Sequence, residues 1–392
     1  MMTGLLRRLL GRLPIGWLQL THNRTRLAAA LTGVAFANLL VFAQLGFLGA
    51  LTSSIGRPYQ AFDADLLLQS ADANTLQDGS PLPRQRMWEA LAVPGVTSAT
   101  AVYLARFDWK QPDGTIRSVE VLGIDPRVPV MRAATVEAQR DLLTLSNTGL
   151  IDRGTRNVPP ALFDSIDSGE PYRIEVNSRR LDIVGTTRVG GGFGADGYMI
   201  VSDQTFLKLF RSRSAGAPSL ILVQAAEGVD PADLAARINA RLSEPDAVAR
   251  TVAEAIRRDQ RFQTTQRPIG IVFGFGVVIG ALVGIVITYQ ILATDVADHL
   301  KDYATMKAIG YPQRFFLSIV FEQALILAVL GFIPGTLGAL SVYAGVRALT
   351  GLPLEMDAVR LVAVFAGTVL MCTLSGALAT RRLQRADPAE LF

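Results

Sequence analysis

The sequence predicts a membrane protein with four transmembrane α-helices and a large extracytoplasmic α+β domain between the first and the second. Composition is the first ground for this prediction. Half of the 392 residues are hydrophobic, mean hydropathy is +0.32 and 18% of residues are charged, whereas soluble domains carry about 25% charged residues. The second ground is distribution, because four apolar stretches are each long enough to cross a hydrocarbon core of about 30 Å.

The N-terminal segment, residues 1–26, is predicted to hold a short amphipathic helix on the cytoplasmic face of the membrane. Leucines alternate with arginines before Pro14, as in helices that lie in the bilayer interface, and Pro14 with Gly16 is expected to end this helix. Residues 27–52 follow as an uncharged first span. A cleaved signal peptide is the alternative, but the apolar stretch is far longer than the ~7–15 residues of a signal peptide, so an uncleaved anchor is predicted.

Three further apolar stretches are predicted to be spans two to four: residues 268–293, 315–342 and 359–380. The third span contains Glu322. A carboxyl group inside a membrane is costly and is a functional hypothesis by default, and a hydrogen-bonded packing residue is the alternative. Glu322 is expected to face the helix bundle, close to Asn38 or Gln44 of the first span.

Orientation follows from the short connections. Basic residues concentrate before the first span, in the connection 294–314 and in the tail 381–392. The positive-inside rule therefore places both termini and the 294–314 connection in the cytoplasm. The domain 53–267 and the short loop 343–358 then lie in the periplasm. The lipid bilayer accounts for the excess of basic residues, so no nucleic acid partner is expected.

The long periplasmic segment alternates strand and helix signals, which predicts an α+β domain. Residues 102–110 and 116–124 have the composition of two strands, joined by the turn Pro112-Asp113-Gly114. A second hairpin is predicted around Asn177-Ser178. A helix is predicted to start at Asp230-Pro231, because Asp caps a helix and Pro suits its first position.

The motifs predict no cofactor, metal or catalytic site. The glycine-rich stretch 190–197 is not a Walker A loop, because no Lys-Ser/Thr pair follows it. It is interpreted either as a flexible loop or turn, or as a contact loop for an external partner. Asp295 and His299 stand four residues apart, but no third metal ligand accompanies them. The single cysteine, Cys372, excludes an intrachain disulfide and is expected to pack inside the fourth span.

Small residues form one face of the second span, where Gly276, Gly280 and Gly284 are spaced four residues apart. Such faces let helix backbones approach closely. Two interpretations remain open: packing between helices of one subunit, and a homodimer interface.

The second span continues into a cytoplasmic helix that is predicted to end at Gly310-Tyr311-Pro312, since Gly followed by Pro stops a helix. One side of this helix is apolar: Val296, Leu300, Tyr303, Met306 and Ile309. Charged residues stand beside that side: Asp295, Asp298, Lys301, Asp302 and Lys307. Acidic residues are unfavourable next to anionic lipid, so the helix is expected to bind a protein partner.

This arrangement of one span, a large external domain and three further spans resembles the FtsX/MacB-type permeases of ABC transporters. The stretch Tyr303–Tyr311 is similar to the signature that follows the second span in that superfamily. DevC-type permeases, known from cyanobacteria, are more similar still, through the block 268–335 and the tail Ala386–Phe392. Within that block, the order Glu322-Gln323 reverses the expected Gln-Glu.

The resemblance implies a homodimeric permease in a bacterial inner membrane, with ATP hydrolysis in a separate cytoplasmic ABC ATPase subunit. It also implies a periplasmic membrane-fusion adaptor and, indirectly, a TolC-like outer-membrane channel, with efflux of glycolipid or other hydrophobic cargo. Coupling to the ATPase is expected of residues in the cytoplasmic helix: Asp295, Asp298, His299, Leu300, Tyr303, Met306, Lys307 and Gly310.

Two alternatives keep the same architecture. One is an FtsX-like signalling module that activates a periplasmic partner such as a cell-wall hydrolase. The other is a Lol-like permease that releases lipoproteins from the membrane. The chain is not expected to be an enzyme in its own right, because the sequence offers no set of acid, base or metal ligands.

Overall fold

The computed structural model describes residues 14–190 and 192–385, which form two compact units. A helical unit contains the chain up to Gly49, Ile271–Leu349 and the chain from Leu354 onward. A sheet domain contains Ala50–Gly270 and Thr350–Pro353. The leucine-rich segment before Pro14, expected to be an amphipathic helix, lies outside the described residues.

The described chain begins with two consecutive helices, α1 (Ile15–His22) and α2 (Arg24–Ala61). Gly16 was expected to stop a helix but lies inside α1, which starts directly after Pro14. A proline at this place loses no helical hydrogen bond, and its carbonyl oxygen accepts from the Leu18 N–H at 3.1 Å. A Cβ on Gly16 would lie 2.9 Å from the Ile319 carbonyl oxygen, so the glycine allows a close helix contact.

Nine strands of the described chain form the sheet domain: β1 (Leu66–Ser70), β2 (Val96–Lys110), β3 (Ile116–Ile124), β4 (Thr148–Asp152), β5 (Tyr172–Val176), β6 (Arg179–Thr187), β7 (Gly197–Ser202), β8 (Leu220–Ala225) and β9 (Ala247–Thr251). Their order in the sheet is β5-β6-β4-β7-β3-β2-β8-β1-β9. Neighbours are antiparallel except β3–β7 and β4–β6, which are parallel. Both predicted hairpins are present, as β2–β3 and β5–β6.

Six helices accompany these strands: α3 (Gln85–Leu91), α4 (Ala134–Glu137), α5 (Pro160–Asp167), α6 (Asp203–Leu209), α7 (Pro231–Arg241) and α8 (Val252–Thr265). Helix α7 starts where the sequence predicts, and its cap Asp230 accepts from the Ala232 N–H at 3.2 Å. Its apolar side, Leu234 and Ile238, is fully buried against β1 and β8. Burial of apolar surface stabilises the packing of such a helix on a sheet by about 25 cal/mol per Å².

The chain then forms four helices: α9 (Pro268–Asp298), α10 (Leu300–Ala308), α11 (Gln313–Thr350) and α12 (Ala358–Arg385). By length and composition, α2, α9, α11 and α12 are long and apolar enough to cross a membrane, in line with the four apolar stretches of the sequence. Helix α11 continues past the stretch expected to span, as far as Thr350. Cys372 is fully buried in the helical unit, as expected, in a cluster with Leu292 and Ala324.

Candidate functional site

A buried polar network, here called the polar junction, joins α1, α9, α10 and α11 in the helical unit. Its members are Gln19, Asp295, Tyr303 and Gln323. The Gln323 Nε2 group donates to Asp295 Oδ2 at 2.6 Å and to Gln19 Oε1 at 3.1 Å. Gln323 is fully buried and Asp295 is 3% exposed. Because a buried polar group without a partner costs about 1–3 kcal/mol, these bonds hold the helices at one relative position.

Tyr303 is the contribution of α10 to the polar junction. Its hydroxyl donates to Gln19 Oε1 at 3.1 Å, and burial raises the pKa of Tyr303 to about 12, so the hydroxyl keeps its proton. The ring packs edge-on against Phe316, with centroids 5.6 Å apart. Tyr303 therefore anchors α10 to α11 by packing and to α1 by a hydrogen bond.

The apolar side of the helix predicted at 294–310 faces inward. Val296 and Tyr303 are both 2% exposed and pack with Phe316, Ile319 and Val320 of α11. Leu300 and Met306 lie at the edge of this cluster and are half-buried. Two apolar residues of the side expected to bind a protein partner are therefore covered by α11 of the same chain. A 3.6-residue period shows that one helix face is covered but does not show what covers it.

The end of α10 is exposed, including Ile309, which the sequence placed on the apolar side. Ile309 is 72% exposed and Tyr311 is 47% exposed. Lys307 and Gly310 are exposed beside them, and Gly310 has φ +106°, a backbone conformation that favours glycine. This group of four residues, here called the α10 tip, combines an aliphatic, an aromatic and a basic side chain on a short helix end.

The joint between α9 and α10 lies at His299. Helix α9 ends at Asp298, and the His299 ring Nδ1 lies 3.0 Å from the Asp295 carbonyl oxygen and 3.8 Å from Asp295 Oδ1. Asp298 forms a salt bridge of 2.5 Å with Arg26 of α2. A cavity of about 220 Å³ separates these residues from α1, and both histidines of the chain, His22 and His299, line it. In the part of the chain that the structure describes, no three metal-ligating side chains come together.

Glu322 lies beside α1 rather than near Asn38 or Gln44. Its Oε1 accepts from the Trp17 backbone N–H at 3.2 Å, so the carboxylate caps the start of α1. Asn38 contacts Gly335, which stands 13 residues further along α11, or about 20 Å at 1.5 Å per residue. The two residues are therefore at different depths of the helical unit. The expectation was wrong because hydropathy shows which residues form a span, but not which residues of two neighbouring spans lie at the same depth.

The glycine face of α9 packs against α2 of the same chain. A Cβ on Gly280 would lie 3.0 Å from Val41 Cγ2, and one on Gly284 would lie 3.1 Å from Ala37 Cβ. A Cβ on Gly276 would overlap the Gln44 side chain. In the described part of the chain these glycines therefore allow close packing between two helices of one subunit, the first of the two interpretations. A different side of α9 is exposed instead: Val272, Phe275, Val278, Ile279, Leu282 and Val286.

The glycine-rich stretch of the sheet domain is a loop that is held at several points. Asp152 accepts from the Val189 N–H at 3.1 Å and from the Gly190 N–H at 2.6 Å. Arg156 donates to the Gly192 carbonyl oxygen at 2.6 Å and pairs with Asp196 at 3.0 Å. Burial raises the pKa of Asp152, while hydrogen bonds from the N–H groups of Gly154, Val189 and Gly190 lower it. This bracing favours a loop of defined shape.

Sequence reasoning missed Gln19 and Gln323 as members of the polar junction. Gln323 carried a usable signal, because a glutamine in the middle of an apolar span needs a buried hydrogen-bond partner. Gln19 carried none, since the sequence placed it in a surface segment.

Four apolar helices, a short helix between the second and third of them, and a sheet domain inserted after the first are the features of a multi-pass membrane protein. Family models identify it further. The MacB-like periplasmic core domain matches residues 27–241, and the FtsX-like permease C-terminal domain matches residues 274–388. The chain belongs to the FtsX/MacB-like family of ABC transporter permeases, multi-pass proteins of the inner membrane that work with an ABC ATPase.

Two solved structures of external domains are similar to about half of this chain. The periplasmic region of MacB from Actinobacillus actinomycetemcomitans is 10% identical, with a TM-score of 0.34, over 50% of this chain and 93% of that one. The extracellular domain of the noncanonic ABC-type transporter YknZ from Gram-positive bacteria is 14% identical, with a TM-score of 0.31, over 48% of this chain and 98% of that one. No curated protein sequence matches the chain.

Proposed function

We propose that this permease relays ATP-driven motion of a cytoplasmic ATPase subunit to a periplasmic sheet domain, and that the motion drives efflux of hydrophobic cargo. The polar junction is the observation that carries the proposal. Through Tyr303 it bonds α10, which connects two spans, to Gln19 of α1, and the ring of Tyr303 packs on Phe316 of α11. A displacement of α10 is then passed to the spans instead of being absorbed by a flexible connection.

The α10 tip is the proposed contact with the ATPase. Ile309 and Tyr311 supply apolar and aromatic anchors of the kind that dominate binding energy at interfaces. Lys307 adds a charge that selects an acidic partner surface, and Gly310 lets the chain turn directly after the helix. The basic residues of this connection favour a cytoplasmic location by the positive-inside rule, which supports this role.

The other coupling residues have an internal role in this proposal. Leu300, Tyr303 and Met306 transmit motion by packing on α11. Asp295 and His299 set the angle of the joint between α9 and α10, since both the side chain and the carbonyl group of Asp295 are engaged there. Asp298 ties the end of α9 to the first span through Arg26.

A homodimer is proposed to form through the exposed side of α9, which includes Phe275 and Leu282. The glycine face of that helix already packs on α2, so it is not available to a second copy without opening that contact. The observation that supports this choice is the continuity of the exposed apolar side over four helical turns.

The proposed subtype is DevC-like, because the residues of the block 268–335 carry that resemblance. Efflux of glycolipid or other hydrophobic cargo, a membrane-fusion adaptor and a TolC-like channel are proposed on the same ground. The adaptor would bind the sheet domain, and the channel would bind the adaptor.

Reconstitution of the full chain with its ATPase tests the relay. Ile309→Asp combined with Tyr311→Ala is expected to reduce ATPase binding at least tenfold, while membrane insertion stays normal. The matched control is Ile116→Asp, which makes the same change at an exposed isoleucine of the sheet domain. Normal ATPase binding and normal efflux by the double variant would remove the coupling role of α10.

Tyr303→Phe separates binding from transmission. It leaves the α10 tip unchanged and removes one bond of the polar junction, so ATPase binding is expected to persist while stimulation of hydrolysis by adaptor or cargo falls. If the intact system activates a periplasmic hydrolase and moves no cargo, the FtsX-like signalling function replaces efflux. Release of lipoproteins from the membrane would instead indicate the Lol-like function.

A further inference from the structure

A polar cavity of about 130 Å³ lies inside the sheet domain, apart from the polar junction. Its walls come from the end of α2, the loop before α3, the glycine-rich loop and the end of α8. The polar residues of the lining are Ser54, Thr75, Gln77, Tyr198, Asp259 and Gln263. One water needs about 10–15 Å³ of such space, so the cavity can hold a molecule of several non-hydrogen atoms.

Asp259 is the charged residue of this lining, and it is only 4% exposed. Its Oδ2 accepts from the Tyr59 hydroxyl at 2.9 Å and from the Leu76 N–H at 3.2 Å. Its Oδ1 is buried and has no hydrogen-bond partner of ordinary geometry among the described residues. Gln263, one helical turn further along α8, also hydrogen-bonds to the carboxylate with its side-chain amide, which lowers the pKa of Asp259.

The surroundings of Asp259 are mostly acidic. Asp78 faces it from the loop before α3 and Glu120 from β3, and Tyr59 contacts it from α2. Arg106 of β2 bonds to Gln77, which also bonds to Glu120, so one basic residue stands beside this acidic group. A buried carboxylate oxygen without a partner is unfavourable, so a cation in the cavity would be stabilised there.

We propose that this cavity binds a small primary amine in its ammonium form, with Asp259 Oδ1 accepting one of its N–H groups. Ser54 and Gln263 supply further oxygen acceptors for the other N–H groups. A tightly held metal ion is disfavoured, because the described part of the chain contains no group of three His, Cys, Asp or Glu side chains placed to ligate one. The site lies outside the proposed relay and does not depend on it.

Binding is expected to depend on pH. Burial, the largest cause, raises the pKa of Asp259 to about 6, so the carboxylate is mostly charged at pH 7.5 and mostly protonated at pH 5. Protons then compete with the ammonium ion. Apparent affinity is expected to fall about tenfold between these two pH values, since at one unit below the pKa about one carboxyl group in ten is ionised.

Thermal unfolding of the full chain in detergent tests the proposal, in an amine-free phosphate buffer. Methylammonium chloride is expected to raise the unfolding temperature in a saturable way. Sodium chloride and tetramethylammonium chloride at the same ionic strength are expected not to do so, because neither cation has an N–H donor. Asp259→Asn should weaken the methylammonium effect at least tenfold, whereas Asp233→Asn, at an exposed aspartate of α7, should keep it.

Equal stabilisation by the three salts, or an unchanged methylammonium effect in Asp259→Asn, would overturn the proposal. If that variant does not fold, saturation-transfer NMR from the wild-type protein to methylammonium at pH 7.5 and pH 5 replaces it. Transfer that is absent at pH 7.5, or equally strong at pH 5, would also overturn the proposal.

Discussion

Glu120 is expected to destabilise the sheet domain at neutral and alkaline pH, so Glu120→Gln should stabilise it there. Glu120 lies on the central strand β3 and is 1% exposed. Burial raises its pKa from 4.5 to about 7, although Arg106 and Gln77 favour the charged form. Glutamine keeps the shape and one acceptor for the Gln77 amide but carries no charge that must be buried.

The size and sign of the effect follow from proton linkage. The carboxyl group binds its proton more tightly when folded, so its favourable contribution is complete below the unfolded pKa of about 4.5 and is lost as pH rises through 7. A difference of about 2.5 pKa units corresponds to about 3 kcal/mol at about 1.4 kcal/mol per unit. Glu120→Gln is therefore expected to raise the free energy of unfolding by up to about 3 kcal/mol at pH 8.5, and by almost nothing at pH 4.

Tryptophan fluorescence offers a direct assay in the full chain. The chain has three tryptophans, and Trp109 of β2 is 4% exposed, so urea unfolding in a Trp17→Phe, Trp88→Phe background reports on the sheet domain. Glu175→Gln, at an exposed glutamate of β5, is the matched control and should change stability by less than about 0.5 kcal/mol. A stability change in Glu120→Gln that is independent of pH, or a loss at pH 8.5, would refute the reasoning.

Three other substitutions each test a contact inside one of the two units. Gly280→Leu should destabilise the α2–α9 contact by about 1–3 kcal/mol and lower the unfolding temperature in detergent, whereas Gly274→Leu, where a Cβ meets nothing within 4 Å, should not. Tyr303→Phe should cost about 1 kcal/mol in the same assay, and the exposed control Tyr311→Phe almost nothing. Asp152→Ala removes the acceptor of the Val189 and Gly190 N–H groups, so limited proteolysis should cut the glycine-rich loop faster, and an unchanged rate would contradict its bracing role.

Local patterns in the sequence predicted much of the architecture. Four long apolar stretches predicted the four helices able to cross a membrane, because the length and composition of a span are local properties. Turn residues predicted the β2–β3 and β5–β6 hairpins, and Asp230-Pro231 predicted the start of α7. Each of these features depends on residues that are close together in the chain.

The contacts of these elements were decided only by the tertiary structure. Amphipathic spacing showed that one side of α10 is covered, but whether Tyr303 meets α11 or another protein depends on a partner distant in sequence. The same holds for Gly280, whose small size permits packing on either α2 or a second copy. Asp259 and Tyr59 stand 200 residues apart, so their buried bond and the cavity beside it arise only when α2 and α8 fold against the same sheet.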